Sequence, residues 1–507
     1  MAVESTSKTP SGMRIYLNHP RNLIKKLEKK TDYLIFKGCH LELIGPTMPF
    51  LAANINVTYS GMGTVLASRS AGYLVANLLG AILQNIVKKH SEGLLFSAFI
   101  LPTIAVFVTP FVTSLILMCV LFFIQGLSKG FTDLGGNNLL LRMWDINAAA
   151  PLNLVHFGYP IGAVFVNLLV RPFITQKVLL TNVTNNEVIN STLSLINATK
   201  VNSNIVIPYS ITAILCFLIA IGHIFFYVPQ LRNQRQKLQV QQVDYAAVST
   251  NPDNVNSSVN KESSSSYSPR TCGYGSFQYG LILSTIFIIY TFFMGGNYQT
   301  FSKFFFSYLK FNKFNLSNEA ASWGITLYWL SYSIGRFIVA IISVFLEVNM
   351  SLSIIWSGAL CLAIAWLIYV WIIGLTSTSL FILGAVTGLI FAPIFPLSFA
   401  FFNQRLNVIP MLLGLLLCGA ALGGIIFNKI AGLIMDHNPN HFPTILAVCI
   451  SITIIVYIVS HLVYFLHQQN NLLNDRPSVT NGSPVSPQTF NEEEQQITNY
   501  LRDQQDK

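Results

Sequence analysis

The chain has 507 residues, of which 52% are hydrophobic and only 10% are charged. Soluble globular proteins carry about 25% charged residues, so this composition excludes a cytosolic enzyme, a disordered protein and a disulfide-built secreted module. The formal net charge of +10 lies mostly in loops between apolar runs, which favours a role in membrane orientation over nucleic-acid binding.

The first half of the chain contains six apolar stretches of about the 20 residues that a bilayer-spanning helix needs. A basic segment, residues 1–32, precedes them and has no apolar core of the kind that a cleavable signal peptide requires. The stretches are Tyr33–Ala53, Gly61–Val87, Gly93–Val108, Pro110–Leu141, Pro151–Ile174 and Ile207–Val228. Residues 33–228 are therefore predicted to form an N-terminal six-helix half.

A second set of six stretches follows a polar linker, residues 229–275, which is rich in Gln, Ser and Asn and is predicted to be disordered. The polar tail, residues 467–507, is predicted to be disordered too. The stretches are Phe277–Tyr298, Ala320–Phe345, Leu352–Ile373, Ser377–Phe402, Val408–Met435 and Phe442–Phe465. Residues 276–466 then form a C-terminal six-helix half.

The distribution of Lys and Arg sets the predicted orientation. With a cytoplasmic N-terminus, most of them fall on the inside, in the N-terminal segment, the linker and the tail. Both termini are therefore predicted to be cytoplasmic, in the plasma membrane, with an intracellular membrane as the alternative. Five N-x-S/T sites then lie outside and are predicted glycosylation sites: Asn56, Asn182, Asn190, Asn197 and Asn315.

The two halves repeat the same pattern of small residues. The fourth stretch has Gly126 and Gly130, and the tenth has Gly384 and Gly388, at the spacing that lets helices approach closely in lipid. Six plus six helices with a linker between them are typical of a secondary transporter built from two similar halves. The sequence thus predicts an all-α polytopic membrane protein with twelve transmembrane helices in two pseudo-symmetric halves, and it resembles the major facilitator superfamily.

Charged residues inside the apolar stretches are candidate functional residues, because each costs about 2.5–3.5 kcal/mol to insert. Glu42 and Asp133 are the acids and are predicted to couple transport to a cation. Arg69, Arg336 and Lys129 are predicted structural or gating charges. Simple charge neutralisation is the alternative: Lys129 with Asp133, and Glu42 with Arg69 or Lys37.

Amides and one histidine are the candidate substrate ligands. Hydroxyl-rich solutes are bound by amides and carboxylates, and the predicted ligands are Asn137, Asn138, Asn297, Gln299 and His156. His156 is as well explained by an interhelical hydrogen bond. The candidates for an aromatic ring that stacks on a sugar are Phe131, Tyr290, Tyr298, Trp323, Trp329 and Tyr332. No second His or Cys stands at ligand spacing, so no metal site or other cofactor is predicted.

Several runs resemble a narrower family. They are Gly45-Pro46-Thr47, Arg69-Ser70-Ala71-Gly72-Tyr73-Leu74, Gly126 through Asn137 followed by Trp144, and His156-Phe157 with Gly162-Ala163. Together they resemble the animal sodium-dependent glucose transporters, which are related to bacterial fucose permeases. The resemblance implies transport of a glucose-type hexose. It places Asp133 at the family's acid in the fourth span and Asn137 at the amide four residues later. Glu42 falls where the permeases have an aspartate.

The predicted function is secondary active transport of a hexose by alternating access, driven by Na⁺ or H⁺. The expected partners are a small-molecule sugar and the bilayer, with no nucleic acid, in a monomer. The alternatives are a facilitator, a transporter of an organic anion attracted by Arg69 and Arg336, and a sugar sensor without transport. A membrane-embedded enzyme is disfavoured, because no nucleophile stands beside a base.

Overall fold

The protein is all-helical wherever its structure, a computed structural model, is described: residues 34–83, 91–144, 156–174, 205–248, 268–311, 313–314 and 316–474. Twelve longer helical segments follow one another in these residues, and a four-residue helix, Pro269–Cys272, precedes the seventh of them. They are α1 (34–42 continued by Ile44–Asn54), α2 (Tyr59–Ile82), α3 (Ser91–Val108), α4 (Leu115–Trp144), α5 (Gly158–Ile174), α6 (Val206–Val248), α7 (Phe277–Leu309), α8 (Asn318–Phe345), α9 (Val348–Ile368), α10 (Ser377–Phe391 and Ile394–Arg405), α11 (Pro410–His437) and α12 (Phe442–Asn474).

Ten of these segments are long and apolar enough to cross a membrane. The other two are α5, a shorter apolar helix, and α1, which is interrupted at Leu43. The predicted fold class, two six-helix halves of a membrane protein, is confirmed. Described residues up to His461 form one compact unit, and those of α12 from Leu462 onward form another.

Several helix ends differ from the sequence prediction. The seventh span was predicted to end at Tyr298, but α7 continues to Leu309 because the apolar run resumes at Phe304-Phe305-Phe306 after Lys303. The sixth helix continues past the predicted end at Val228 into the predicted linker, to Val248. The Gln, Arg, Lys and Leu residues of this segment have high helix propensity, although most of them are polar. The division into domains itself stays a prediction.

Proline accounts for the breaks in two helices. In α10, Ala392 and Pro393 form a turn between the two helical parts, because proline lacks the backbone N–H that a continuous helix needs. In α1, Leu43 interrupts the helix three residues before Pro46. The break in α1 follows directly after Glu42, a buried acid described below.

Glycines allow α2 and α4 to interlock backbone against backbone. A Cβ on Gly72 would lie 2.0 Å from the carbonyl oxygen of Phe123, and one on Gly126 would lie 1.9 Å from that of Arg69. The second half repeats the device between α8 and α10. There a Cβ on Gly335 or Gly388 would meet a backbone oxygen of the other helix at 2.4 or 2.2 Å.

The pair α1 and α5 is interlocked in the same way, through Gly38 and Gly162. Its counterpart is the pair α7 and α11, where a Cβ on Gly423 would lie 2.0 Å from the Phe292 oxygen. Equivalent helices, six apart in order, therefore use equivalent contacts. The internal repeat predicted from the small residues is present in the packing.

The interlock predicts a sharp difference between two glycine-to-alanine changes. Gly126→Ala is expected to destabilise the protein by about 1–3 kcal/mol, because a methyl group cannot fit against the Arg69 carbonyl without moving a helix. Gly222→Ala in α6 is the control, since nothing lies within 4 Å of its added Cβ. The measurement is the thermal unfolding midpoint in detergent. Equal midpoints for the two variants would contradict the interlock.

Among the described residues, α2 with α11 and α5 with α8 form two of the interfaces between the halves. Along α2 and α11, close contacts run from Gly63, opposite the Asn428 oxygen, to Gly414, opposite the Asn77 oxygen. The Asp436 carboxylate accepts hydrogen bonds from the first backbone N–H groups of α2, at Tyr59 (2.9 Å) and Ser60 (2.7 Å). A carboxylate at a helix N-terminus is stabilised by the helix dipole, so this contact holds the end of α2 to the opposite half.

The second interface is formed by α5 and α8. Arg171 forms an ion pair with Glu319, its guanidinium lies 4.1 Å from the Trp323 ring centroid, and the Asn318 side chain donates to the Ile174 oxygen at 3.1 Å. The rings of Phe157 and Phe337 meet at the other end, 6.0 Å apart. The halves are thus in contact at both ends of each interface.

Candidate functional site

A cluster of buried charges lies where α1, α2, α4, α7 and α8 come together, in the interior of an apolar protein. Each member is at most 9% exposed. The cluster comprises two acids and five bases: Glu42, Asp133, Lys37, Arg69, Lys129, Lys303 and Arg336. We call it the central charge cluster. Buried charges are costly unless paired, so their partners define the site.

Glu42 on α1 joins the two halves. Its carboxylate forms an ion pair with Lys303 of α7 and accepts a hydrogen bond from the Tyr159 hydroxyl of α5. The break at Leu43 places this carboxylate beside an irregular point of α1. The sequence alternatives, Glu42 with Arg69 or with Lys37, are wrong as ion pairs, although Arg69 is close enough to interact with Glu42 electrostatically.

Asp133 on α4 is held within the N-terminal half. Its carboxylate forms an ion pair with Lys37 of α1. The suggested neutralisation by Lys129, one helical turn away, is wrong, because the Lys129 ammonium instead donates to the Gln299 side chain of α7. That ammonium also lies 4.3 Å from the Tyr73 ring centroid, a cation–π distance. Lys129 and Gln299 thus form a second link between the halves.

The two arginines of the cluster have weaker partners. Arg69 donates to the backbone oxygen of Leu41 at 3.0 Å, beside the α1 break. Arg336 donates to the Tyr332 hydroxyl at 3.2 Å, while its Nε and Nη1 have no hydrogen-bond partner in the described part of the chain. Among the described side chains, neither arginine has a carboxylate within salt-bridge distance.

Two small cavities lie in this region, and residues of the cluster line one of them. One is lined by Glu42, Arg69, Lys129, Tyr159, Gln299 and Lys303, among others, and the second by Asn297, Trp356, Phe395 and further apolar residues of α9, α10 and α12. Tyr298 lines both. Each has a volume of about 10 Å³, close to the space that one water molecule requires. Neither of these two cavities can therefore hold a sugar in this conformation, and a sugar enters them only after the helices separate.

The predicted substrate ligands are distributed unequally around these cavities. Gln299 and Asn297 line one each, and the Asn297 amide also donates to the Leu446 oxygen at 3.2 Å. His156 is buried and packs edge-on against the Phe395 ring, with 5.7 Å between centroids. Asn137 and Asn138 belong to α4, but their side chains lie outside the described residues.

Of the candidate aromatic residues, Tyr298 is the one that lines both cavities. Trp329 and Tyr332 are almost fully buried in α8, beside Tyr159 and Arg336 respectively. Trp323 is 46% exposed and contacts Arg171 at the α5–α8 interface instead. Tyr290 is hydrogen-bonded to Ser398 and Trp356. Tyr298 is therefore the candidate for stacking on a sugar that the geometry favours.

Lys303 is the main site residue that the sequence analysis missed. It was assigned to the loop after the seventh span, because that span was ended at Tyr298. The signal that identifies it is the apolar run Phe304-Phe305-Phe306, which makes Lys303 an isolated charge inside a helix. Tyr159 was missed too, since nothing in a sequence shows that a particular tyrosine faces a glutamate.

Of the predicted glycosylation sites, Asn56 alone falls within the described residues. It is exposed in the turn between α1 and α2, at a φ of 52°, which asparagine tolerates better than most residues. Asn182, Asn190, Asn197 and Asn315 lie outside the described residues. Glycosylation stays a prediction.

Comparison with known proteins gives a family match. The family model described as Major Facilitator Superfamily matches residues 35–406. Sodium-dependent glucose transporter 1A of Mus musculus is 21% identical over 437 residues, which cover 85% of this chain and 94% of that protein. Sodium-dependent glucose transporter 1 of Homo sapiens is 31% identical, but over 135 residues, so the match covers about a quarter, 26%, of each chain.

Solved structures show the same fold. The crystal structure of FucP in the outward conformation matches with a TM-score of 0.57 and 14% identity, and the match covers 87% of this chain and 99% of that one. FucP of E. coli is described as a fucose:proton symporter. At this identity the similarity establishes the arrangement of helices, and the substrate has to be argued from the site.

Proposed function

The chain belongs to the major facilitator superfamily, and we propose that it carries a glucose-type hexose across a membrane by alternating access, coupled to Na⁺ or H⁺. The observation that carries this proposal is the Glu42–Lys303 ion pair, which lies on a cavity and joins the two halves. Separation of the halves breaks this pair and frees a carboxylate inside the protein. A buried carboxylate without its partner takes up a cation, which is the step that coupled transport needs.

Asp133 supplies the second coupling carboxylate in this proposal. It is 6% exposed and shares its negative charge with Lys37 on α1. A proton or Na⁺ that binds Asp133 weakens the hold on Lys37 and so loosens α1 against α4. Because α1 also carries Glu42, a cation bound at Asp133 affects the position of Glu42 through the movement of this one helix.

Sugar hydroxyls would be bound by the amides beside the cavities. Gln299 offers an amide already polarised by Lys129, and Asn297, two residues earlier on α7, offers another beside the second cavity. Asn137, Asn138 and His156 complete the proposed set, and Tyr298 offers a ring to the apolar face of the sugar. The names of the relatives, sodium-dependent glucose transporters and a fucose:proton symporter, support this substrate class.

The proposed setting is the plasma membrane, with both termini in the cytoplasm, carbohydrate on Asn56 and the other outer sites, and a monomer as the working unit. The chain is a multi-pass membrane protein, and we propose no cofactor and no enzymatic step. Selective labelling of cysteines placed in the N-terminal segment and in the turn at Asn56, in intact cells, tests the orientation.

The transport proposal is tested in liposomes that contain the purified protein. Uptake of labelled glucose and fucose is measured with no gradient, with an inward Na⁺ gradient and with an inward H⁺ gradient. We expect accumulation above equilibrium under one of the two gradients, which names the ion. The matched control is Glu347→Gln, which removes an exposed carboxylate at the start of α9 and should accumulate sugar as the native protein does.

Two outcomes would contradict parts of the proposal. Equilibration without accumulation would indicate a facilitator and leave Glu42 and Asp133 as structural charges. Sugar binding without flux, in protein shown to be folded, would indicate a sensor with a transporter fold.

A further inference from the structure

The central charge cluster contains two residues that stay positively charged even though they are buried. Lysines lose their proton when the surroundings disfavour the charge, whereas the guanidinium of arginine stays protonated in proteins. Arg69 and Arg336 therefore carry permanent charges, and they are 7% and 3% exposed. Each needs compensation from a nearby negative group.

Both carboxylates of the cluster already form ion pairs with lysines. Glu42 is paired with Lys303, and Asp133 with Lys37. Arg69 is compensated in part, because it donates to the Leu41 oxygen and interacts electrostatically with Glu42. Arg336 has a neutral hydroxyl for its partner and two nitrogens, Nε and Nη1, without any partner in the described residues.

The position of Arg336 connects it to the proposed sugar site. The ring of its partner Tyr332 lies 5.2 Å from the Trp329 ring, and the Trp329 ring lies 5.8 Å from that of Tyr159, which lines the cavity beside Glu42. An uncompensated guanidinium in a membrane interior costs several kcal/mol. An anionic group on the transported solute would neutralise this guanidinium and remove that cost. The solute would therefore bind more tightly than a neutral one.

We infer that the hexose carried best is an acidic one, a hexuronate-type monoanion whose carboxylate is bound by Arg336. This inference rests on the proposed function and narrows its substrate class. A single open guanidinium matches one negative charge, which favours a carboxylate over the double charge of a sugar phosphate. The sugar hydroxyls remain with the amides at Gln299 and Asn297.

The test compares three sugars and three variants in the liposome assay. The sugars are labelled glucose, glucuronate and glucose 6-phosphate. The variants are Arg336→Gln, Arg336→Lys and the control Arg405→Gln, which removes another buried arginine, one that donates to the Ser460 oxygen of α12 away from the cavities. The thermal midpoint of each purified protein is measured with and without glucuronate.

The native protein should carry glucuronate in preference to glucose. Arg336→Gln should lower the ratio of glucuronate to glucose uptake about tenfold, the effect of one charge-assisted hydrogen bond. Arg336→Lys should keep most of the ratio, and Arg405→Gln should leave it unchanged. Glucuronate should raise the midpoint of the native protein and of Arg405→Gln, but not that of Arg336→Gln.

The outcomes separate this inference from the transport proposal. Uptake of glucose without glucuronate, or an unchanged ratio in Arg336→Gln, would overturn the inference and leave hexose transport standing. Preference for glucose 6-phosphate would overturn the assignment to a monoanion. If no sugar crosses the membrane while glucuronate still stabilises the protein through Arg336, the transport proposal fails and the anion site stands.

Discussion

Asp133→Asn is expected to abolish the accumulation of sugar under an ion gradient. The amide neither binds a proton at ordinary pH nor holds Na⁺ by charge, so the coupling step is lost, while the shape of the side chain is kept. Lys37 loses the carboxylate that it contacts in α4. We expect the steady-state accumulation ratio to fall to about one, with exchange of sugar across the membrane retained in part, as measured by counterflow.

The controls for Asp133→Asn separate coupling from folding. Breaking a buried ion pair costs about 3–5 kcal/mol, because one charge is left alone. The double change Asp133→Asn with Lys37→Met removes both charges and should restore the thermal midpoint without restoring accumulation. Accumulation by Asp133→Asn at the native level would show that Asp133 is only the structural partner of Lys37.

Lys303→Met is expected to cause a large loss of stability. It leaves Glu42, which is 1% exposed, with the Tyr159 hydroxyl as its remaining strong partner. We expect destabilisation of about 3–5 kcal/mol, seen as a lower thermal midpoint. The double variant Glu42→Gln with Lys303→Met should regain most of the loss.

A double-mutant cycle makes this second prediction quantitative. Residues in direct contact show coupling of about 0.5–3 kcal/mol, whereas distant residues change stability additively. Glu42→Gln combined with Lys303→Met should therefore be non-additive, and Glu42→Gln combined with Gly222→Ala should be additive. Additive behaviour of the first pair would mean that the ion pair between α1 and α7 does not form.

Sequence alone was sufficient for the helices and for the two acids. An apolar run of about 20 residues has few structural solutions, and a charge within it is conspicuous, so Glu42 and Asp133 could be identified directly. Their partners could not. Asp133 pairs with a residue 96 positions away and Lys129 with one 170 positions away, and such contacts depend on which helices are neighbours.

The errors had local causes as well. A spacing of four residues makes Lys129 a reasonable partner for Asp133. In the structure, however, Asp133 contacts α1 and Lys129 contacts α7. Lys303 falls outside the predicted seventh span, which ends at Tyr298. The polar residues Asn297 and Gln299 line cavities inside the helix bundle, and the phenylalanines after Lys303 show that the helix continues.

The size of the cavities has a consequence for the kinetics of binding. Each cavity accommodates about one water molecule, so a solute cannot reach Tyr298 by diffusion into this conformation. The Asp436 and Arg171 contacts between the halves must open first. The observed association rate should therefore level off as the sugar concentration rises, at the frequency with which the protein opens, rather than increase towards the diffusion limit.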